Sequence, residues 1–395
     1  IAGYQLFEAG SGIPIGPVES LSDEWVDLIL HTLKESERLG LEFAMHNCPG
    51  WSSSGGPWIT PDKAMQIITW SETKVTGGKQ IRMPLPTPKH MFDYYIDTFC
   101  LAIPANMEVI PKSSVLELSG QLKDGVLTWA APAGEWLIMR FGQTAKDQKN
   151  KSAPSKSTGL DCDKFSTEAL DYHLDCMFKR LMPAMEKVAK HSKIGLLIDS
   201  YETGDQDWTS DMPAYFEQKH RYALYPFLPA LANKVVESEE STKRFLFDFR
   251  RTRADLFAER YYAHFQKRCK EKGIITYTEP YGGNMMEELQ VAQQLDINMG
   301  EFWCGQTVLW ANYKYNRTVK QVASITHTLG GKIVGAEAFT SEPDADKWLL
   351  YPYALKSLGD YMFTRGLSRI YFHRFAHQPH PTAAPGMTMG AWGLH

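Results

Sequence analysis

"LSDEWVDLILHTLKESERLGLEFAMH", residues 21–46, reads as one complete helix–strand unit. Ser22 followed by Asp23 and Glu24 is a helix start, because a serine hydroxyl caps free backbone N–H groups and acids favour the positive end of the helix dipole. Leu21, Trp25, Leu28, Ile29 and Leu33 recur at helical spacing, and Gly40 ends the helix. Residues 41–45 then form a short apolar strand that stops at His46.

The same unit recurs along the chain without a fixed repeat period. Short apolar runs at 4–7, 136–141, 194–198, 274–277, 297–299, 333–334 and 370–372 read as strands. Helical patterns occupy 166–190, 212–232, 242–272, 315–329 and 353–365, with Gly273 and Gly330-Gly331 at helix ends. Brief apolar strands without alternation are those buried on both faces of a parallel sheet. Eight of them, with helices between most, predict an α/β fold of the TIM-type (β/α)8 barrel class. A doubly wound sheet is the alternative, but no Gly-rich phosphate loop follows the first strand. Residues 72–132 depart from the pattern: "KVTGGKQIRMPLP" and "GVLTWAAPAGEW" alternate apolar and polar positions between turn residues. They are expected to form an antiparallel β insertion between barrel strands 2 and 3, with 1–395 otherwise one barrel domain.

Composition excludes some partners. Net charge is −4 with no basic stripe, which argues against nucleic acid and anionic membrane surfaces. No apolar run approaches the ~20 residues needed to span a bilayer. Aromatic residues make up 12%, which suits either a large aromatic core or stacking on ring-shaped ligands. The six cysteines show no metal-ligand spacing and read as small buried hydrophobes. Ile1 opens directly into the first apolar run, so the chain is expected to be trimmed from a longer one.

In a barrel, chemistry sits at the C-terminal ends of the strands. Those ends carry His46 and Asn47, then Asp199 and Glu202 in "DSYET", Glu279 and Tyr281 in "YTEPYGG", Glu301 and Trp303 in "GEFW", Glu337 in "GAEAFTS", and His373, His377 and His380 in "FHRFAHQPH". A single strand-end acid is most often a solvated charge or an ion-pair partner. Carboxylates on four successive strands, beside aromatic rings, are what glycoside hydrolysis requires: one acid protonates the leaving oxygen while a second carboxylate activates water or attacks. The loop "NCPGWSSSGGPW" (47–58) leaves the second strand on the same side. Trp51 and Trp58 are expected either to wall the sugar site or to pin the loop, and Gly55-Gly56 to let the backbone approach a ligand. Asp205, Asp207 and Asp211 crowd together but lack the spacing of a calcium loop, and Asp211 before Pro213 reads more simply as a helix start.

Glu202 is expected to be the general acid, desolvated by Tyr201 and Trp208 so that it keeps its proton. Glu301, one strand removed across the mouth, is expected to be the base. A retaining pair, Glu202 with Glu337, is the rival arrangement. A metal-dependent amidohydrolase is disfavoured because the first strand offers no His-x-His pair. A non-catalytic sugar binder would have lost an acid, and all are present.

"RLGLEFAMHNCPGWSSSGGPWITPDKAM", "LLIDSYETGDQDWTSDMPAYFEQKHRY", "YTEPYGG", "GEFW", "GAEAFTS" and "HRFAHQP" together resemble glycoside hydrolase family 106, the α-L-rhamnosidases. The resemblance runs from about residue 4 to Trp392. It implies a bacterial, secreted or periplasmic enzyme that removes α-L-rhamnose from plant-type polysaccharides, with inversion and with calcium as cofactor. It also implies further β-rich domains outside the barrel. On this reading the partner is a carbohydrate. His46, Asn47, Trp51, Trp58, Asp199, Tyr281, Trp303, Glu337, His373 and His377 are candidate sugar contacts, and Glu279 is a candidate calcium ligand or orienting residue.

Overall fold

The computed structural model describes residues 1–10, 16–52, 54–188, 194–304, 308–341, 349–375 and 382, with only the backbone of 308–316. Seven parallel strands form the central sheet: β1 (Gly3–Leu6), β2 (Glu42–His46), β3 (Ile194–Ile198), β4 (Ile275–Thr278), β5 (Ile297–Trp303), β6 (Val334–Thr340) and β7 (Arg369–Phe372). They pair in chain order. The sheet curls until its ends nearly meet, with Arg369 of β7 2.6 Å from Glu42 of β2 and the Phe7 and His373 rings 6.0 Å apart.

The first helix forms as its local signals require. Asp23–Leu39 is capped by the Ser22 hydroxyl, which accepts from Trp25 N, and it ends on Gly40 in the left-handed region at φ 68°. Trp25, Ile29 and Leu33 are buried against Phe43 and Met45 of β2, whereas Leu28 is half exposed. Two other helical expectations change. The helix from Met212 stops at His220, where Arg221 takes a left-handed conformation, and Pro226 and Pro229 hold Tyr225–Ala232 in a 3-10 turn. The long helix from Glu239 is continuous to Lys270 but widens to π geometry over Phe257–Ala263.

The eight-strand barrel is not what forms among the described residues, and the error lies at 136–141. That run belongs to Glu135–Ala145, which pairs antiparallel with Gln66–Thr76 on one side and Ile96–Pro104 on the other. It reads as a barrel strand because it too is covered on both faces. Leu137, Met139 and Phe141 pack into the main core, and Ile138 packs into a separate cluster with Cys100, Ala102, Leu127 and Trp129. Double burial erases the alternation by which an antiparallel strand is recognised. The main antiparallel sheets therefore run from Gln66 to Ala145, wider than 72–132, with a short antiparallel pair of Gly55–Gly56 and Leu160–Asp161 beside them, all between β2 and β3 in the chain.

Glu8, just past β1, ties the barrel to the first helix. Its carboxylate accepts from Trp25 Nε1 at 3.0 Å and from the Ser20 hydroxyl. Burial pushes this carboxyl up from 4.5 to about 7, and the Trp25 bond only partly opposes it. A raised folded-state value means that the stabilising contribution is complete below 4.5 and is lost as pH rises through about 7. Glu8→Gln is therefore expected to flatten the stability profile, gaining up to about 3 kcal/mol on the parent between pH 5 and 8.5. Thermal unfolding of both proteins at the two pH values checks this, and parallel profiles exclude it.

Candidate active site

The strand ends bring the acids together. Asp199 follows β3, Glu279 follows β4 and Glu337 lies within β6, and each offers an oxygen within 4.8 Å of the other two. Asp199 and Glu279 are buried. Three ionised carboxylates so close repel by about 3–4 kcal/mol per pair at an effective dielectric near 20. Glu279 is accordingly held well above the usual carboxylate range by burial and then by the Asp199 and Glu337 charges. Glu337 is raised likewise, by burial and by Glu301 and Asp199. Either protons or a cation must relieve the cluster.

The cluster fits a hard cation. Oxygens on a calcium ion at about 2.3–2.6 Å lie at most about 5 Å apart, which matches the 4.8 Å spacing. One Glu279 oxygen, Oε1, is buried without a hydrogen-bond partner. The other accepts from the Tyr281 hydroxyl at 2.5 Å. His46, the last residue of β2, turns Nδ1 to Gly50 O at 3.0 Å and Nε2 towards Asp199 at 3.5 Å, and stacks edge-on with Phe7. In the loop after Glu202, by contrast, the aspartates are dispersed. Asp207 accepts from Ile68 N, Asp211 is gripped by Arg260 at 2.7 Å, and Asp205 faces Arg253.

Glu301 lies near the end of β5, with Glu337 opposite it in register on β6. The Trp303 indole N–H donates to one of its oxygens and the Tyr281 hydroxyl lies 3.0 Å from the other. One phenol hydrogen thus faces two carboxyl groups, those of Glu279 and Glu301. Full bonding on both sides needs a proton on one of them. Burial pushes Glu301 up to about 7 against those two hydrogen bonds, with the charges of Asp199 and Glu202 adding to the rise.

Glu202 stands at the rim. Its side chain is 39% exposed, ion-paired with Lys151, and accepts from Trp51 Nε1 at 3.2 Å and Ser200 Oγ at 3.1 Å. The expected cover by Tyr201 and Trp208 is not there. Tyr201 bonds Gly204 O and packs on Phe257, while Trp208 is wholly inside the core, so neither desolvates the neighbouring acid.

Other candidates divide. Trp51 is at the mouth beside Phe7 and Glu202. Trp58 instead points at the helix Thr167–Val188, donating to His173 Nδ1 at 3.2 Å, and is a loop pin. Asn47 is a buried strut whose carboxamide spans Leu197 O and the Ser54 hydroxyl, which leaves it no free edge for a sugar. His373 meets Thr340 at 3.0 Å and Glu337 at 3.5 Å. His377 and His380 lie outside the described residues. Two cations escaped the sequence reading. Lys151 sits in a lysine-rich stretch that resembles a solvated loop, and Arg374 lies between two histidines that carry the stronger signal. Burial lowers Arg374 to about 10, with the Glu337 charge opposing.

Comparison with known proteins shows the family of the chain. A family model described as alpha-L-rhamnosidase matches residues 1–98 and 89–395. A curated protein of Formosa agariphila named putative beta-glucuronidase is 39% identical over 421 residues, covering 98% of this chain and 35% of that protein. The structure of a rhamnosidase from Novosphingobium sp. PP1Y superposes with a TM-score of 0.87 at 22% identity, covering 100% of this chain and 54% of that one. At that identity the likeness is one of fold. The chain spans about a third and about half of these two relatives, respectively.

Proposed function

Because the chain belongs to glycoside hydrolase family 106, the α-L-rhamnosidases, we propose that its barrel hydrolyses terminal α-L-rhamnosides with inversion. One observation carries the reading: a half-buried carboxylate, Glu301, oriented by Tyr281 and Trp303, shares the strand ends with a second, accessible carboxyl, Glu202. Glu202 gives its proton to the glycosidic oxygen. Glu301 takes a proton from water as that water bonds to the anomeric carbon and the bond to the leaving oxygen breaks. Trp51, Trp303 and Tyr281 supply ring faces for the sugar, and His46 and His373 supply hydrogen bonds. Asp199, Glu279 and Glu337 would hold calcium, which when bound supplies positive charge and open coordination positions for sugar hydroxyls. Among the described residues no helix is long and apolar enough to cross a membrane. Family membership supports a secreted or periplasmic site of action on plant-type glycans.

The arrangement of β3, β4 and β5 supports inversion, since Glu202 follows β3 and Glu301 lies on β5, with the whole of β4 between these two strands. Inverting pairs stand about 6.5–9.5 Å apart to admit water, against about 5–5.5 Å for retention. Proton NMR of the first sugar released from an aryl α-L-rhamnoside is expected to show the β-anomer. Initial α-anomer would move the pair to Glu202 and Glu337. Turnover of an aryl β-glucuronide in place of the rhamnoside would transfer the reading to the activity in the Formosa protein's name.

A further inference from the structure

Lys151 is built into this site more firmly than a surface lysine needs to be. Its backbone N–H donates to Ser52 Oγ at 2.8 Å, and its carbonyl accepts from Trp51 N at 3.2 Å. Gly50, at φ +79°, passes so close that a Cβ there would stand 2.2 Å from that carbonyl. The stretch 146–156 is thereby clamped to the loop that carries Trp51. The ammonium lies on Glu202 and 5.9 Å from the centre of the Trp51 ring. Its side chain is 46% exposed and that of Glu202 39%, so the pair is open to solvent. A general acid stands over the bond that breaks, so a cation paired with it stands close to the leaving group.

The stretch that carries Lys151 is basic although the whole chain carries −4: Lys146, Lys149, Lys151 and Lys156 stand against one acid, Asp147, within 146–156. Lys149 pairs with Asp147 and Lys156 with Glu19, which leaves Lys146 and Lys151 on the side of Glu202. Lys146 donates to Asp205 O at 2.6 Å, which draws a second ammonium towards the turn that follows Glu202. An isolated exposed ion pair contributes little to stability and needs no such clamp. Resting on the assignment of Glu202 as acid, we propose that Lys151 is a specificity residue for an anionic leaving sugar, one that carries a carboxylate or a sulfate next to the scissile bond. That anion competes with Glu202 for the ammonium, and binding it releases the Glu202 carboxyl from its ion pair.

The test uses α-L-rhamnosyl disaccharides whose leaving sugar is a uronic acid, its methyl ester, or a sulfated or unsulfated neutral sugar. The parent enzyme is expected to favour an anionic over a matched neutral leaving sugar by about 10- to 100-fold in kcat/KM, mostly through KM. The uronate and sulfate arms identify which anion it takes. Lys151→Met is expected to bring that ratio near one, Lys151→Glu to reverse it, and Lys151→Arg to restore the preference. A ratio unchanged in Lys151→Met, or equal losses on charged and neutral substrates, overturns the role of Lys151 alone. A parent enzyme that cleaves no rhamnoside overturns the activity on which it rests.

Discussion

Glu202→Gln is expected to lower kcat on an unactivated rhamnoside by about 10³–10⁴-fold, near the upper range for loss of a general acid. An alkyl leaving group departs as a strong base unless it is protonated, and no other described carboxyl combines rim placement with 39% exposure in this cluster. Glutamine keeps an oxygen for Ser200 Oγ or Trp51 Nε1 and preserves volume, so the fold should survive. With an aryl leaving group that departs unprotonated, the same substitution is expected to cost about tenfold or less. The comparison of the two substrates decides the role, because equal loss on both would show that Glu202 binds or orients and does not protonate. The missing cover from Tyr201 and Trp208 sharpens the point. If Glu202 carries a proton in the working complex, the bound sugar and the displacement of Lys151 must provide the environment.

Calcium is expected to raise the unfolding temperature and to be required for turnover, with EDTA lowering kcat/KM by at least about 100-fold. At a hundredfold excess over its Kd, a ligand adds about 2.7 kcal/mol, which for a chain of this length reads as a shift of a few degrees. Glu279→Gln separates the cation from the carboxylates themselves. In calcium the variant should be less stable and inactive, since one buried ligand is gone. In EDTA it should be more stable than the parent by about 1–3 kcal/mol, because the folded parent must either keep a third repelling charge or hold a proton on Glu279 that glutamine does not need. An unfolding temperature indifferent to calcium in the parent, or a variant destabilised equally in both buffers, would remove the cation from Asp199, Glu279 and Glu337. The readout does not depend on activity, so a wrong substrate cannot mimic failure.

The parts of this protein legible in its sequence are those decided within a few residues. Ser22, the acidic turn and Gly40 set the first helix because capping acts over three or four positions. Asp199, Glu279, Glu301 and Glu337 could be read as one site because each follows or ends a short apolar run, and parallel strands send those ends to one face. Pairing at long range was not legible. Trp136–Phe141 has the composition of a barrel strand, and only its antiparallel partners at Gln66–Thr76 and Ile96–Pro104 show otherwise. Trp51 and Trp58 are alike in a Ser/Gly loop, yet one meets Glu202 and the other His173, each more than a hundred positions away. The three-carboxylate cluster draws on acids from distant strands, and Lys151 reaches Glu202 across fifty-one positions. Local propensity carries no information about such contacts. They exist because burying the barrel core closes loops whose entropic cost no neighbouring residue reports, and the burial of those acids, which sets their charge state, exists only once that core is formed.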